Sequence, residues 1–288
     1  MRELIGSEFH RANDKYCLFI DGENFAIRAK MFAEQRNVPL IPGRFYRENV
    51  YAWIPHQTPL TFLQNASGGA KIQQPPFRSH YYTSVQGDSP SVETVQETLW
   101  GLSFQPRVFK KTRQGKSKGV DIALTTEFLT HSFQHTLDVA CLVAGDGDYV
   151  PMVEAAKQRG RRVLLIFFGK EGLNAELRRA ADHFLPIDEL FVHAWMDYAF
   201  PAHESFPYFH PQAGPLSISV CGRRTSDDHF EHHRVLRFRF TNSHEWITVI
   251  VQGEPFVKNA GDPRLSQLID GEWNDVNKTS ATVPGESG

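Results

Sequence analysis

Residues 138–150, DVACLVAGDGDYV, decide how this chain is read. Over 137–144 the run is almost continuously apolar, with no polar alternation. That is the pattern of a strand buried on both faces, as in a parallel sheet. Gly-Asp-Gly-Asp then breaks the run. Gly145 and Gly147 allow a tight bend that brings Asp146 and Asp148 to one place. Residues 151–159 are predicted to form a helix that ends at Gly160, and 163–168 a further buried strand.

Working outward, the same alternation of strand and helix extends from residue 16 to about 190. Strands are expected at 16–20, 78–84 and 107–111, the last of them a strand or extended arm. Helices are expected at 25–35, 120–132 and 173–183, the last followed by the run FLPI. A further helix should start at Ser89–Pro90, with Ser as its cap and Pro in its first turn. Residues 42–78 hold Pro55, Pro59, Gly68, Gly69, Pro75 and Pro76 and are read as an insertion or long loop, with a strand at 49–54. Strands separated by helices of this length imply βαβ units and a parallel sheet. The expected fold class is therefore α/β: a Rossmann-like three-layer αβα domain over 1–200. A small antiparallel β-rich region is expected over 201–258. It opens on a Pro- and aromatic-rich linker, PAHESFPYFHPQAGP, and continues in strands at 216–221, 235–241 and 246–252. The middle strand alternates, with Arg237 and Arg239 opposite Leu236, Phe238 and Phe240, and Asn242–Ser243 suits the turn that follows it. Residues 259–288 are polar and are expected to be a flexible tail.

Composition narrows the class. Among 288 residues 41% are hydrophobic and 22% charged, and the formal net charge is −2, so local charge must identify any polyanionic partner. Cys17 and Cys141 fall inside apolar runs, no CxxC pair exists, and the cysteine spacing suggests neither a zinc site nor a disulfide framework. No apolar run approaches 18 residues, and the polar start MRELIGSEFHRANDKY lacks the apolar centre of a signal peptide. A cytoplasmic protein without membrane contact is expected.

Three separated acidic groups carry the chemistry. Asp21 follows the strand CLFI, Asp146 and Asp148 follow ACLVAG, and Asp121 opens a helix in KSKGVDIALTTEFL. Open α/β sheets place their sites at the carboxyl ends of strands. Four carboxylates collected at one edge repel one another, and a divalent cation removes that repulsion. Mg2+ and Mn2+ prefer such hard oxygen ligands and leave positions for water and phosphate. Haloacid-dehalogenase chemistry would need a second Asp two residues after the first, where Glu23 stands.

The segments FIDGENF, KGVDIAL and LVAGDGDYVPMVEAAKQRGRRVLLI, in this order, resemble the NYN domain, a branch of the PIN-like nuclease superfamily. The resemblance covers about residues 14–190. It implies a Rossmann-like fold and Mg2+- or Mn2+-dependent endoribonuclease chemistry on RNA. It also implies metal ligation by Asp21, Asp121, Asp146 and Asp148, a site-shaping role for Asn24, and a phosphate-facing Lys118. An RNA-binding adaptor that keeps the fold without turnover is the alternative, and a phosphatase acting on small nucleotides is a third reading.

Local charge favours a polyanion. Lys110, Lys111, Arg113, Lys116 and Lys118 lead into Asp121 with no intervening acid, and Arg107 precedes them. Such an arm supplies phosphate contacts that weaken with salt. A protein partner or a second copy of the chain is expected to dock, if at all, through the C-terminal region.

Overall fold

Strand burial follows the apolar runs. A computed structural model of the chain describes residues 13–67, 72, 75–111, 118–210, 214–227, 229–240 and 246–250. It divides into two compact units, one built on residues up to Tyr198 and one from Ala199 on, with Arg36–Val38 grouped with the second. In the first unit the order is β1 (Tyr16–Asp21), α1 (Gly22–Arg36), β2 (Tyr46–Arg47), β3 (Tyr51–Ala52), α2 (Pro59–Ala66), β4 (Arg78–Val85), α3 (Ser89–Gly101) and β5 (Gln105–Lys110). Then come α4 (Lys118–Phe133), β6 (Val139–Val143), α5 (Val150–Gln158), β7 (Arg162–Phe167), α6 (Ala175–Ala180), β8 (His183–Pro186) and α7 (Asp188–Ala199).

Six strands form one sheet in the order β5-β4-β1-β6-β7-β8, and every neighbouring pair is parallel. From β1 the chain builds outward through β4 and β5 on one side, and from β6 through β7 and β8 on the other. The order therefore reverses between β1 and β6, and a doubly wound sheet opens its ligand crevice there, beyond the strand carboxyl ends.

Helices cover both faces. Phe25, Ala26, Ala29, Phe32 and Ala33 give α1 a buried stripe at helical spacing, and Phe25 and Phe32 stack on Phe168 at 5.5 and 4.7 Å. On the opposite face Val120, Leu124 and Phe128 of α4 pack with Cys17, Phe19, Tyr82 and Leu142. Alternation along β1 thus puts Cys17, Phe19 and Asp21 on the α4 side.

The turn from β1 into α1 needs glycine. A Cβ on Gly22 would lie 2.0 Å from the ring of Tyr81. That ring is fully buried, and its hydroxyl donates to the Ala52 carbonyl at 2.8 Å and accepts from the Ala52 N–H at 3.1 Å. Gly22→Ala should therefore destabilise the domain by about 1–3 kcal/mol, as overpacking does, despite alanine's better helix propensity. Urea unfolding of the variant checks this; an unchanged or raised midpoint would contradict the packing.

Several local expectations change. Residues 42–78, read as loop or insertion, hold the β2–β3 hairpin and α2. Trp53, Ile54, Phe62 and Leu63 are fully buried there, and Trp53 packs on Phe62 and Phe104 at 4.8 and 4.7 Å. Pro59 starts α2 rather than breaking a helix, behind a capping box formed by Thr58 and Thr61. Asp88, not Ser89, caps α3, since its carboxylate accepts the Ser91 N–H at 3.1 Å. The helix expected at 173–183 is shorter, because Asn174 caps it at Ala175 and β8 begins at His183.

The second unit is an antiparallel sheet of β9 (Ala202–His210), β10 (Gly214–Arg224), β11 (Phe230–Phe240) and β12 (Trp246–Ile250), ordered β12-β11-β10-β9. The stretch 201–215, expected as a linker, supplies β9 and the start of β10. Its Pro207 stands in β9, an edge strand, the place in a sheet where proline is tolerated. Arg237 lies on β11, inside the sheet, and is buried. The turn expected at Asn242–Ser243 and the tail expected at 259–288 lie outside the described residues.

Candidate active site

Asp21 is the last residue of β1, at the sheet's point of reversal, and only 4% exposed. Its Oδ1 accepts the Asn24 N–H at 3.0 Å, so it caps the first turn of α1. The Asn24 side chain in turn accepts the Gly145 N–H at 3.0 Å, tying α1 to the turn after β6. Gly145 has no room for a side chain there: a Cβ would lie 2.4 Å from Phe167 and 2.5 Å from the Gly172 carbonyl. Residues 147–149 form one turn of 3-10 helix capped by Asp146, whose Oδ1 accepts the Asp148 N–H at 3.1 Å.

That turn delivers Tyr149 into the acid cluster. Its hydroxyl lies 2.8 Å from Asp21 Oδ2 and 3.2 Å from Asp121 Oδ1. A phenol has one proton, so it cannot donate to both carboxylates at once. Both contacts are satisfied when one of the acids is itself protonated. The electrostatics agree. Burial pushes the Asp21 carboxyl up to about 7, against the lowering effect of its Asn24 and Tyr149 hydrogen bonds, and the charges of Asp121 and Glu23 push it further. Asp121 is also raised, first by burial and then by the charges of Asp146, Glu23 and Asp148. Asp121 is thus the electrostatic neighbour of Asp21 on one side and of Asp146 and Asp148 on the other. Among the described residues, however, the group of His, Cys, Asp or Glu donors drawn tightly enough to share an ion is Cys17, His80 and His131; the aspartates stand further apart.

Three contributors escaped the sequence reading. Tyr149 sits immediately after GDGD, where an aromatic reads as ordinary core. Glu23 is a fifth carboxylate in the first turn of α1, held by Lys111 Nζ and the Ser84 hydroxyl, each at 2.6 Å. Arg28 lines a cavity of about 320 Å³ with Asn24, Gly145, Asp146, Gly147, Gly172, Leu173 and Asn174. The spacing Asp21-x-Glu23 and the helical step from Asn24 to Arg28 were visible signals for the last two.

The basic arm divides. Lys110 is exposed at the end of β5. Lys111 is engaged by Glu23 and so is not free for substrate as expected. Arg107 is held by Glu127 at 2.6 Å. Arg113 and Lys116 lie outside the described residues, and Lys118 is placed only as the first residue of α4.

The NYN domain family model matches residues 15–188, the span that carries β1 through β8. The chain belongs to the NYN domain family. The NYN domain is a branch of the PIN-like nucleases, which typically use divalent metals, and the parallel three-layer sheet is the fold expected for it. An uncharacterized protein of Methanocaldococcus jannaschii is 27% identical over 96 residues, 33% of this chain and 36% of that protein. The chain thus spans about a third of the length of this curated relative. A solved protein of unknown function from Vibrio parahaemolyticus is similar at 19% identity and a TM-score of 0.45, covering 64% of this chain and 99% of that one. Among the described residues of the NYN protein, no helix is long and apolar enough to cross a membrane.

Proposed function

We propose that this NYN domain is a Mg2+- or Mn2+-dependent endoribonuclease. Asp21, Asp121, Asp146 and Asp148 would hold the ion or ions. The observation that carries this reading is the buried Asp21 carboxyl at the strand reversal, joined to Asp121 through a single hydroxyl. Burying a carboxyl beside other acids costs stability, and the same acids form the hard-oxygen donor set that these cations require. A bound ion would supply a nucleophilic water at neutral pH and neutralise charge on the phosphate.

The chain's own residues supply the rest. Asn24 fixes the distance between the first turn of α1 and the turn after β6 through its bond to Gly145. Tyr149 keeps Asp21 and Asp121 facing one another through its single hydroxyl. Lys111 neutralises Glu23 and so limits the negative charge that an approaching phosphate meets. Lys110, Arg113, Lys116 and Lys118 are the proposed phosphate contacts beside Asp121.

Purified protein should cleave single-stranded RNA with Mg2+ or Mn2+ and stop with EDTA. Affinity should fall with salt, with a log–log slope of about −0.7 per phosphate contacted. RNA binding without product at high protein and Mn2+ would replace this reading with the adaptor. Hydrolysis of a chromogenic phosphomonoester with RNA left intact would replace it with the phosphatase.

A further inference from the structure

A second group of donors lies at the other end of β1 and α4. Cys17, His80 and His131 each place a ligand atom within 4.8 Å of the others. Cys17 stands four residues before Asp21 on the same face of β1, about 13 Å away at strand rise. His131 follows Asp121 by ten residues on α4, about 15 Å along the helix. The group is therefore separate from the acid cluster.

His80 is the first sign that something is missing. It is 5% exposed, and neither ring nitrogen has a hydrogen-bond partner. Its Nδ1 lies 3.4 Å from Glu127 Oε2, but that contact lacks hydrogen-bond geometry. A buried polar group left this way is costly unless a ligand completes it. The ring stacks on Phe19 at 5.5 Å and faces the His131 ring at 5.5 Å.

His131 Nδ1 lies 2.8 Å from the Thr136 hydroxyl, which also reaches the His131 carbonyl at 3.1 Å. With the ring proton on Nδ1 and donated to that hydroxyl, Nε2 would keep its lone pair for an ion. A hydrogen-bond partner behind the distal nitrogen supports a metal-bound histidine. Burial holds both imidazoles toward the neutral form, with His80 pushed down to about 4. Cys17 is fully buried, and burial raises its thiol, so only a cation bound directly to sulfur would make it a thiolate. Glu127, one helical turn before His131, stands beside the group as a carboxylate fixed by Tyr82 and Arg107.

We propose that Cys17, His80 and His131 form a thiophilic transition-metal site of the zinc class, with Glu127 completing or supporting it. Thiolate and imidazole together select such ions over Mg2+ and Mn2+. Tetrahedral zinc bonds place donors about 3.5 Å apart, so the side chains must close by about 1 Å, within reach of small rotations. His131 is only half-buried, which leaves an entry path. A bound ion would pin β1, β4 and α4 together at the end remote from the acids.

The test is optical. Chelator-stripped full-length protein is titrated with Co2+, which reports a bound thiolate by sulfur-to-cobalt charge-transfer absorption in the near ultraviolet. We expect that band to saturate at one cobalt per chain and to be displaced by Zn2+. It should persist in Asp146→Asn, disappear in Cys17→Ala, and weaken at least tenfold in apparent affinity in His131→Gln, which keeps the sulfur. Circular dichroism of each variant checks its fold. No charge-transfer band in the folded parent protein, or the same band in folded Cys17→Ala, overturns the proposal. RNA cleavage is not the readout, so failure of the nuclease reading leaves this test intact.

Discussion

Asp146→Asn is expected to lower metal-dependent RNA cleavage on the order of 10³-fold with little change in stability. Asp146 is exposed, and among the described residues its carboxylate accepts the Asp148 N–H at the start of the 3-10 turn. Asparagine accepts that bond equally well, so the turn survives. What disappears is a negative charge that already acts on Asp121. A cation that stabilises a phosphate in flight contributes several kcal/mol, and each 1.36 kcal/mol is tenfold in rate, which sets the size of the loss. Higher Mn2+ should recover part of the activity, because the substitution weakens ion binding rather than the fold. Initial rates across a Mn2+ series, with thermal unfolding in parallel, decide the matter. A variant that cleaves like the parent removes Asp146 from the site.

Asp21→Asn is expected to abolish cleavage and yet stabilise the protein in EDTA. The sign follows from the carboxyl's two environments. Below its ordinary value of 3.8 it is protonated in both folded and unfolded chains and makes no difference. As pH rises from there to about 7, the unfolded chain ionises while the folded one stays protonated, so the parent protein loses stability. Above about 7 both states are ionised and the loss is constant. Asparagine titrates in neither state. Its amide can also accept from Asn24 and donate to Tyr149, which then donates to Asp121. The gain at pH 8 is therefore on the order of 3 kcal/mol and should vanish toward pH 4. Urea unfolding of both proteins in EDTA at pH 4, 5, 6 and 8 measures it. If Asn at position 21 is destabilising at pH 8, the Asp21 carboxylate is a stabilising group and the account of the buried acid is wrong. With Mg2+ present the parent should recover stability and the variant should not, since ions that bind only the folded state stabilise it.

Much of the acid-bearing end of the sheet was legible in the order of residues. An apolar strand that stops at an aspartate names its own carboxyl end, and the parallel sheet then brings such ends together. Asp21 and Asp146 could therefore be placed on one edge before any side chain was seen. Tyr149 could not, because a tyrosine after a glycine turn is ordinary core until its hydroxyl is found between two acids. Lys111 was misjudged for the converse reason. A basic run reads as solvated, but the end of β5 lies beside Glu23 only because β4 and β5 pair in that register. Residues 42–78 misled because proline marks both loops and helix starts, and Thr58 with Thr61 settles which.

The sequence by itself determined the parallel three-layer fold, the family, and the edge of the sheet where the acids stand, because each of these follows from local periodicity and from motifs contiguous in the chain. The tertiary structure alone decided which acid is buried, which hydroxyl bridges the pair, and which lysine is engaged. It alone also placed Cys17, His80 and His131 together. Those three are separated by 63 and 51 residues, so no metal-ligand spacing announces them. They meet because β1 pairs with β4 and α4 lies across both.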